Sequence, residues 1–166
     1  MALRRKKFDS FTDWAAHLRV IQRNRLPLLK QIILESVGEI VANEAKDEVI
    51  GRVSPLPPTG PFVGWEPLAD STIEQKTAMG WGKGGDARSI LYATGEMMDS
   101  IEYRVVRNQA IIGSDDPVLQ YHEYGTYKMP PRPVLGPSMI RSMPRIIPRI
   151  ERALNSVMCG QTPGWR

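Results

Sequence analysis

The side chains best suited to chemistry are few and lie far apart along the chain. The sequence contains two histidines, His17 and His122, and one cysteine, Cys159. Zinc sites draw on three or four Cys, His or carboxylate ligands, so the sequence predicts no metal site. Glu123 follows His122 and leaves one catalytic alternative, a hydrolase that uses the pair as general acid and base. Because neighbouring residues on one element point in different directions, the pattern favours a surface or interface position for His122.

Motifs for nucleophilic catalysis and for nucleotide binding are missing from the sequence. It contains no Gly-x-Ser-x-Gly elbow, and we interpret Cys159 as a bystander thiol near the C-terminus. The glycine-rich segment "GWGKGGD" has Gly84 after Lys83, where a phosphate-binding loop needs Ser or Thr to hold magnesium. We therefore predict no catalytic residue, no cofactor and no enzymatic turnover.

The stretch "YHEYGTYKMPPRP", residues 121–133, specifies a shape instead of a reaction. A glycine at position 125 permits a positive φ, and the prolines that follow impose an extended path. An arginine between prolines offers a planar fork to a carboxylate or a carbonyl. Tyrosine and arginine are also residue types that dominate protein–protein contacts, so the stretch predicts an interaction loop. A loop that only braces the core is the alternative interpretation. The residues concerned are Tyr121, Tyr124, Gly125, Tyr127, Arg132 and Pro133.

Composition and charge indicate one ordinary domain. The 166 residues are 42% hydrophobic and 24% charged, which predicts a single domain over residues 1–158 and a flexible C-terminal tail over residues 159–166. The single cysteine indicates a reducing cytoplasm, and no secretion signal or membrane span is expected. A net charge of +4 is compatible with nucleic acid or with an acidic protein. The basic residues 4–7 are expected to form a solvated terminus.

Hydrophobic spacing predicts two long helices in the first third of the chain. One covers residues 8–24, with a capping box at Ser10 and Asp13, and the other runs from near Pro27 to Gly51. Spacings of three and four give each helix an apolar face that we expect in the core. The first face consists of Phe8, Phe11, Trp14, Leu18 and Ile21, and the second of Leu29, Ile33, Val37, Ile40 and Ala45.

The rest of the chain predicts a small sheet, shorter helices and long loops. Prolines and glycines over residues 52–67 predict an extended loop in which Phe62 and Trp65 pack against another surface. A short helix is expected from a capping box at Ser71 and Glu74 to Gly80, and another from a cap at Thr94 to Ile101. A hairpin turns near residues 108–109. The last apolar pattern predicts a C-terminal helix, kinked or late-starting because of two prolines. That pattern consists of Ile140, Met143, Ile147, Ile150, Leu154 and Val157, with Pro144 and Pro148 inside it.

An ordered set of motifs resembles the tail-completion and neck proteins of long-tailed bacteriophages, also called virion morphogenesis proteins. The motifs span about residues 65–138 and are "WEPLADSTIEQK", "ILYATGEMMDSI", "AIIGS", "YHEYGT" and "MPPRPVLGPS". In that family the pattern is similar to W-x-P-L before a capped helix, L-x-x-T-G-x-L-x-x-S-I, H-x-[FY]-G-[TG] and P-x-R-P. The chain departs from it at Val118 and Leu119, where Tyr-Ala is usual, and at Val134, where an aromatic residue is common.

The resemblance implies an α+β fold, with a small antiparallel sheet packed against helices, and a structural role without catalysis. The protein is expected to form a homo-oligomeric ring, with a hexamer as the expected size, at the head–tail junction or at the tail end. It would assemble in the host cytoplasm, remain in the virion, and contact other neck proteins and the tail tube protein. DNA would pass the lumen with only loose, non-specific contact.

We expect the surface that meets another subunit or partner to be built from the stretch 121–133, the proline-rich loop 52–67 and the C-terminal helix. Its residues are Phe62, Trp65, Tyr121, His122, Tyr124, Gly125, Tyr127, Arg132, Pro133, Arg145 and Arg149. The arginines of the C-terminal helix are expected to be solvated or to contact acidic residues of a neighbouring subunit. The alternative is a small basic nucleic-acid-binding domain, which would use the basic N-terminus and the arginines at 132, 141, 145, 149 and 152.

Overall fold

The computed structural model describes residues 7–159 and has an α+β fold. Its first helix, α1, covers residues 11–49 in four continuous segments: Phe11–Val20, Ile21–Arg25, Leu26–Asn43 and Glu44–Val49. The other helices are α2 (Asp70–Met79), α3 (Glu96–Asp99), α4 (Pro117–Tyr124) and α5 (Leu135–Met158), and the strands are β1 (Glu102–Val106) and β2 (Gln109–Gly113). Basic residues 4–6 and all but the first residue of the predicted C-terminal tail lie outside the described residues.

Helix α1 is continuous where two helices were predicted. Its segment Ile21–Arg25 is a π-turn, and the Leu26 amide donates to the Ile21 carbonyl. Pro27 lacks an N–H, and its ring would clash with the carbonyl four residues earlier in a regular α-helix. The wider turn relieves that clash, so the helix passes through the proline instead of restarting there. The predicted end at Gly51 is confirmed, because Gly51 has a φ of 79° directly after the helix.

The predicted core face of the first turns of α1 is wrong. Phe11 is 78% exposed and Trp14 is 42% exposed, and no residue of Phe11–Val20 is buried. Burial begins at Ile21, which packs with Ala153 and Val157 near the C-terminal end of α5. The last described contact of α1 with α5 is at His17, whose Nε2 lies 3.3 Å from the Met158 carbonyl, and the turns before it extend past the end of α5. The predicted cap is confirmed, since the Ser10 side chain accepts from the Asp13 amide at 3.1 Å.

The main core lies between the second half of α1, the loops and the N-terminal end of α5. Of the predicted second face, Ala45 is buried in this core, whereas Leu29 is buried in the smaller cluster with Ile21, Ala153 and Val157. The larger apolar cluster gathers residues from α1, the loops and α3–α5, and consists of Ala42, Ala45, Val49, Ile50, Leu56, Trp65, Ile90, Met97, Ile101, Leu119 and Val134. Because this cluster includes both ends of the proline-rich loop, it fixes that loop on the body of the protein.

Strands β1 and β2 form the predicted antiparallel hairpin and pack on α1. Tyr103 pairs with Ile112, and Val106 pairs with Gln109 across a tight connection. The backbone of α1 approaches the sheet closely at Gly38, where any Cβ would overlap the ring of Tyr103. Glycine at this position therefore allows the helix and the hairpin to pack together.

Helix α5 begins at Leu135, ahead of both prolines, so the predicted late start is wrong. Pro144 and Pro148 lie on its exposed side, where water can bond to the carbonyls that the missing N–H groups leave free. Several apolar residues of the pattern that predicted this helix are exposed: Ile147 is 50% exposed and Leu154 is 42% exposed. The buried face is instead formed by Pro137, Ser138, Ser142, Ile146, Ala153 and Val157.

Two predicted caps are also wrong. Helix α2 starts at Asp70 after Ala69, so Ser71 and Glu74 lie inside it and form no cap; its predicted end at Gly80, with a φ of 68°, is confirmed. Helix α3 is preceded by Gly95 and not capped by Thr94. Within residues 7–159, no helix combines the length and the apolar composition that a membrane span requires.

Candidate interaction site

The loop over residues 125–133 joins α4 to α5, and together with α4 it carries most of the predicted interface residues. Helix α4 ends at Gly125, whose φ of 73° is the positive value predicted for it. The chain then closes a tight turn, in which the Thr126 and Met129 amides donate to each other's carbonyls at 2.9 and 3.2 Å. An added Cβ at Gly125 would lie 2.9 Å from the Met129 oxygen, so only glycine fits both the turn and its neighbour.

Arg132 and Trp65 hold this loop against the protein. The Arg132 guanidinium donates to the Glu66 carbonyl at 3.2 and 3.3 Å and to the Pro67 carbonyl at 3.3 Å. The Trp65 indole donates to the Pro133 carbonyl at 3.1 Å. The Arg132 amide also donates to the His122 carbonyl at 2.7 Å. These bonds join three segments that are distant in sequence, and they fix the path of the loop.

Glu123 fixes the far end of the loop. Its Oε1 accepts from the Val134 amide at 2.9 Å and from the Leu135 amide at 2.7 Å. Helix α5 has no cap from its own Val134 side chain, so the carboxylate of α4 bonds its first free amides. A negative charge at this position also complements the helix dipole. The role of Glu123 in the structure is therefore to join α4 to α5.

The tyrosines of the predicted interface are exposed on α4 and on this braced loop. Tyr121 is 54% exposed, Tyr124 is 79% exposed and Tyr127 is 93% exposed. The Lys128 ammonium lies 5.2 Å from the centre of the Tyr127 ring. Exposed aromatic side chains on a fixed backbone can bury a large area at little cost in conformational entropy.

Three predicted interface residues have side chains that are used inside the monomer. Trp65 is 4% exposed, Arg132 is 8% exposed, and Pro133 is buried with them. In the monomer these side chains position the loop, and their place at an interface stays a prediction. Phe62 is half-buried, with its ring against Gly136 of α5. The sequence predicted that Phe62 and Trp65 pack against another surface, and in the structure that surface belongs to their own chain.

His122 is half-buried beneath the loop. Its Nδ1 is buried and has no hydrogen-bond partner within residues 7–159. Burial lowers the pKa of His122 below its usual value, Arg132 lowers it further, and Asp116 opposes the change. Glu123 is engaged by the amides of α5, so its carboxylate supports the helix and not the imidazole. In the part of the chain that the structure describes, no three His, Cys, Asp or Glu side chains form a group that could hold a metal ion.

An open cleft of about 670 Å³ adjoins the inner side of the loop, between α2, α3 and α4. Apolar side chains such as Trp81, Leu91 and Met98 line it together with Lys76 and Arg132. The Lys76 ammonium donates to the Ser89 carbonyl, and burial lowers its pKa, an effect that Asp86 partly opposes. Because both cations are already bonded to backbone oxygens, the cleft presents mainly apolar surface.

The arginines of α5 divide into two groups, and the sequence did not indicate this division. Arg141 Nε donates to Glu44 Oε1 at 2.7 Å, and Arg145 donates to the other carboxylate oxygen of Glu44. Glu44 lies on α1 and is only 4% exposed. Arg145 therefore pairs within its own chain while its side chain stays half exposed, and its place at a subunit interface stays a prediction. Arg149 is exposed, as expected.

No protein-family model, curated protein or solved structure matches this chain. The geometry of the loop and of the surrounding surfaces is therefore the basis for the function.

Proposed function

We propose that the chain is a structural virion protein of a long-tailed bacteriophage, a tail-completion or neck protein without catalytic activity. It forms a homo-oligomeric ring at the head–tail junction or at the tail end, and it contacts other neck proteins or the tail tube protein. The resemblance of residues 65–138 to that family supports this function. Its strongest structural support is the braced loop 125–133, which exposes Tyr127 beside Tyr124 at the end of α4.

The loop has the properties of a preorganised contact. Arg132 and Trp65, which bind it to the core, are buried, whereas its Tyr127 is almost fully accessible. A loop that only braced the core would turn its large aromatic side chains inward. Association then orders few groups, because the backbone is already held by Arg132, Trp65 and Glu123.

The geometry gives less support to the two alternatives. A hydrolase that used His122 and Glu123 would need their side chains to act on one substrate, but the Glu123 carboxylate caps α5. A nucleic-acid reader would need several free basic side chains on one helix face, but two of the four arginines on that side of α5 bond Glu44. The remaining basic residues suit loose contact with DNA in the lumen of a ring.

Sedimentation of the purified protein over a series of concentrations tests this function. We expect one discrete oligomer, and a monomer at every concentration would contradict the proposal. In a second step, Tyr124→Ser combined with Tyr127→Ser is expected to weaken assembly or attachment to the next virion protein. The matched control is Val106→Ser, which changes a side chain of β1 that is 48% exposed. If the loop variant and the control weakened assembly equally, the result would contradict the role of the loop as an interaction surface.

A further inference from the structure

Two buried cations line the open cleft between α2, α3 and α4. Lys76 is 7% exposed and Arg132 is 8% exposed. Within residues 7–159, neither side chain forms an ion pair with a carboxylate. Lysine and arginine are almost never buried in proteins unless an opposite charge pairs with them. A negative charge placed in the cleft would therefore be stabilised by both cations.

Each cation keeps N–H groups that its bonds to the backbone do not use. The Lys76 ammonium donates to the Ser89 carbonyl, and its other N–H groups make no hydrogen bond within residues 7–159. Arg132 donates to the carbonyls of Glu66 and Pro67 through Nε and Nη2, which leaves the N–H groups of Nη1 unused in the same part of the chain. Carbonyl groups orient the two cations but do not neutralise their charge. Both cations therefore have donors left for an anion.

The size and the walls of the cleft are those of a small-molecule site. Its volume of about 670 Å³ lies within the range of about 300–1,000 Å³ that such sites occupy. Trp81, Leu91 and Met98 give it apolar walls. Leu91 has a φ of 59°, a value that bulky residues rarely adopt, and strained backbone of this kind clusters at ligand sites. These features indicate a ligand whose body is mainly apolar.

Acidic side chains at the edge of the cleft limit the charge of the ligand. Glu66, Glu96 and Asp116 also line it. Glu66 favours the charged form of Arg132 but forms no ion pair with it in the described structure. The Asp116 carboxylate accepts from the Val118 amide at 2.8 Å. Because these carboxylates repel a multiply charged ion such as phosphate, a single negative charge fits the cleft better.

We propose that the cleft binds a small organic carboxylate with an apolar body. Lys76 and Arg132 supply the counter-charge of its carboxylate, and its apolar body lies against Trp81, Leu91 and Met98. The ligand is a free acid, because a cleft of this volume encloses a small molecule and the two buried cations call for one anionic group. This site goes beyond the proposed ring function and does not depend on it.

Titration calorimetry of the full chain with three probe acids, phenylbutyrate, indoleacetate and octanoate, tests the site. We expect at least one acid to bind one-to-one, and its neutral amide to bind about tenfold more weakly or less, because the amide lacks the charge. Inorganic phosphate should not bind. Lys76→Gln removes a charge but keeps a donor for the Ser89 carbonyl, and it should weaken binding of the acid about tenfold while leaving the amide unchanged. The control is Arg149→Gln, which changes an exposed cation of α5.

A second pair of variants keeps the test decisive if Lys76→Gln fails to fold. Val118 lines the cleft and is 43% exposed, so Val118→Glu adds a negative charge there without removing a buried group, and Val118→Gln is its neutral match. The acid should bind Val118→Glu about fivefold more weakly than Val118→Gln.

Three results would overturn the inference. The first is that none of the three acids binds the parent. The second is that acid and amide bind alike, or that Val118→Glu and Val118→Gln bind the acid alike. The third is that a blocked phenylalanyl-glutamate peptide binds whereas the free acids do not, since the site would then belong to a partner chain. The oligomeric state of the parent is measured separately, so each of these results leaves the proposed ring function standing.

Discussion

The Glu123 carboxylate accepts from the Leu135 amide at 2.7 Å and so connects α4 to the first turn of α5. The bond spans the interaction loop, because the nine residues of the loop lie between these two helices. Loss of this bond would release the start of α5 and the path of the loop together.

Glu123→Ala is expected to lower the free energy of unfolding by about 2 kcal/mol, since loss of a helix cap and of a favourable dipole contact add together. Glu123→Gln keeps an acceptor but removes the charge, so it should recover part of the loss. Urea denaturation measures both variants. Glu151→Ala changes an exposed carboxylate of α5 and should stay within about 0.5 kcal/mol of the parent. If Glu123→Ala were as stable as this control, the result would contradict the role of Glu123 as the cap of α5.

Because Arg141 and Arg145 share the Glu44 carboxylate, their substitutions are expected to lower the free energy of unfolding non-additively. Arg145 is half exposed and Arg141 is less so, and each alone can still neutralise the buried carboxylate of Glu44. We expect Arg145→Ala to cost about 1 kcal/mol or less and Arg141→Ala about 1–3 kcal/mol. The double variant leaves Glu44 buried without a cation and should cost about 3–5 kcal/mol. Denaturant unfolding of the full double-mutant cycle measures the excess, and a strictly additive result would contradict the shared site.

Arg132 is expected to matter for stability although it was predicted at an interface. Arg132→Met leaves the carbonyls of Glu66 and Pro67 without their donor and should cost about 1.5–3 kcal/mol. Arg132→Lys should recover little, because one ammonium cannot reproduce the planar fork. Thermal unfolding compares these variants with Arg149→Met, an exposed change on α5. A parental melting temperature for Arg132→Met would contradict the bracing role.

The lowered pKa of His122 predicts a loss of stability in mild acid. Burial and Arg132 disfavour the imidazolium, so the unfolded chain binds a proton at a higher pH than the folded chain does. Between the ordinary histidine pKa near 6.5 and the lowered value, the free energy of unfolding therefore falls as pH falls. The slope from this one proton is at most about 1.4 kcal/mol per pH unit. His122→Leu should reduce the slope measured between pH 7 and 5, whereas Val118→Ala should not. If the free energy of unfolding of His122→Leu depended on pH as it does in the parent, the result would contradict the lowered pKa of His122.

The sequence predicts elements whose signals are local. The hairpin, the glycine end of α1 and the positive φ of Gly125 follow from residue types that permit few other conformations. The break before Pro27 was predicted wrongly because a π-turn accommodates the proline. No residue type along the chain predicts such a turn. The caps at Ser71 and Thr94 failed because backbone context, and not the presence of a suitable side chain, decided where those helices start.

Burial and long-range hydrogen bonds were harder to predict from the sequence. The spacing of Phe11 and Trp14 correctly places them on one face, but periodicity does not say whether a neighbour covers that face. The contact between Glu44 and Arg141 joins residues 97 positions apart, and no pattern along the chain indicates it. The loop 125–133 was predicted from its own residues, whereas the buried roles of Arg132 and Trp65 depend on segments brought together by the fold.

Electron micrographs of the purified parent protein test the central claim most directly. The proposed function predicts closed rings of one cyclic symmetry with an open centre, formed without DNA or metal. Particles the size of a single chain at every concentration, together with tight and strongly salt-dependent binding of duplex DNA, would contradict it and favour a nucleic-acid-binding domain.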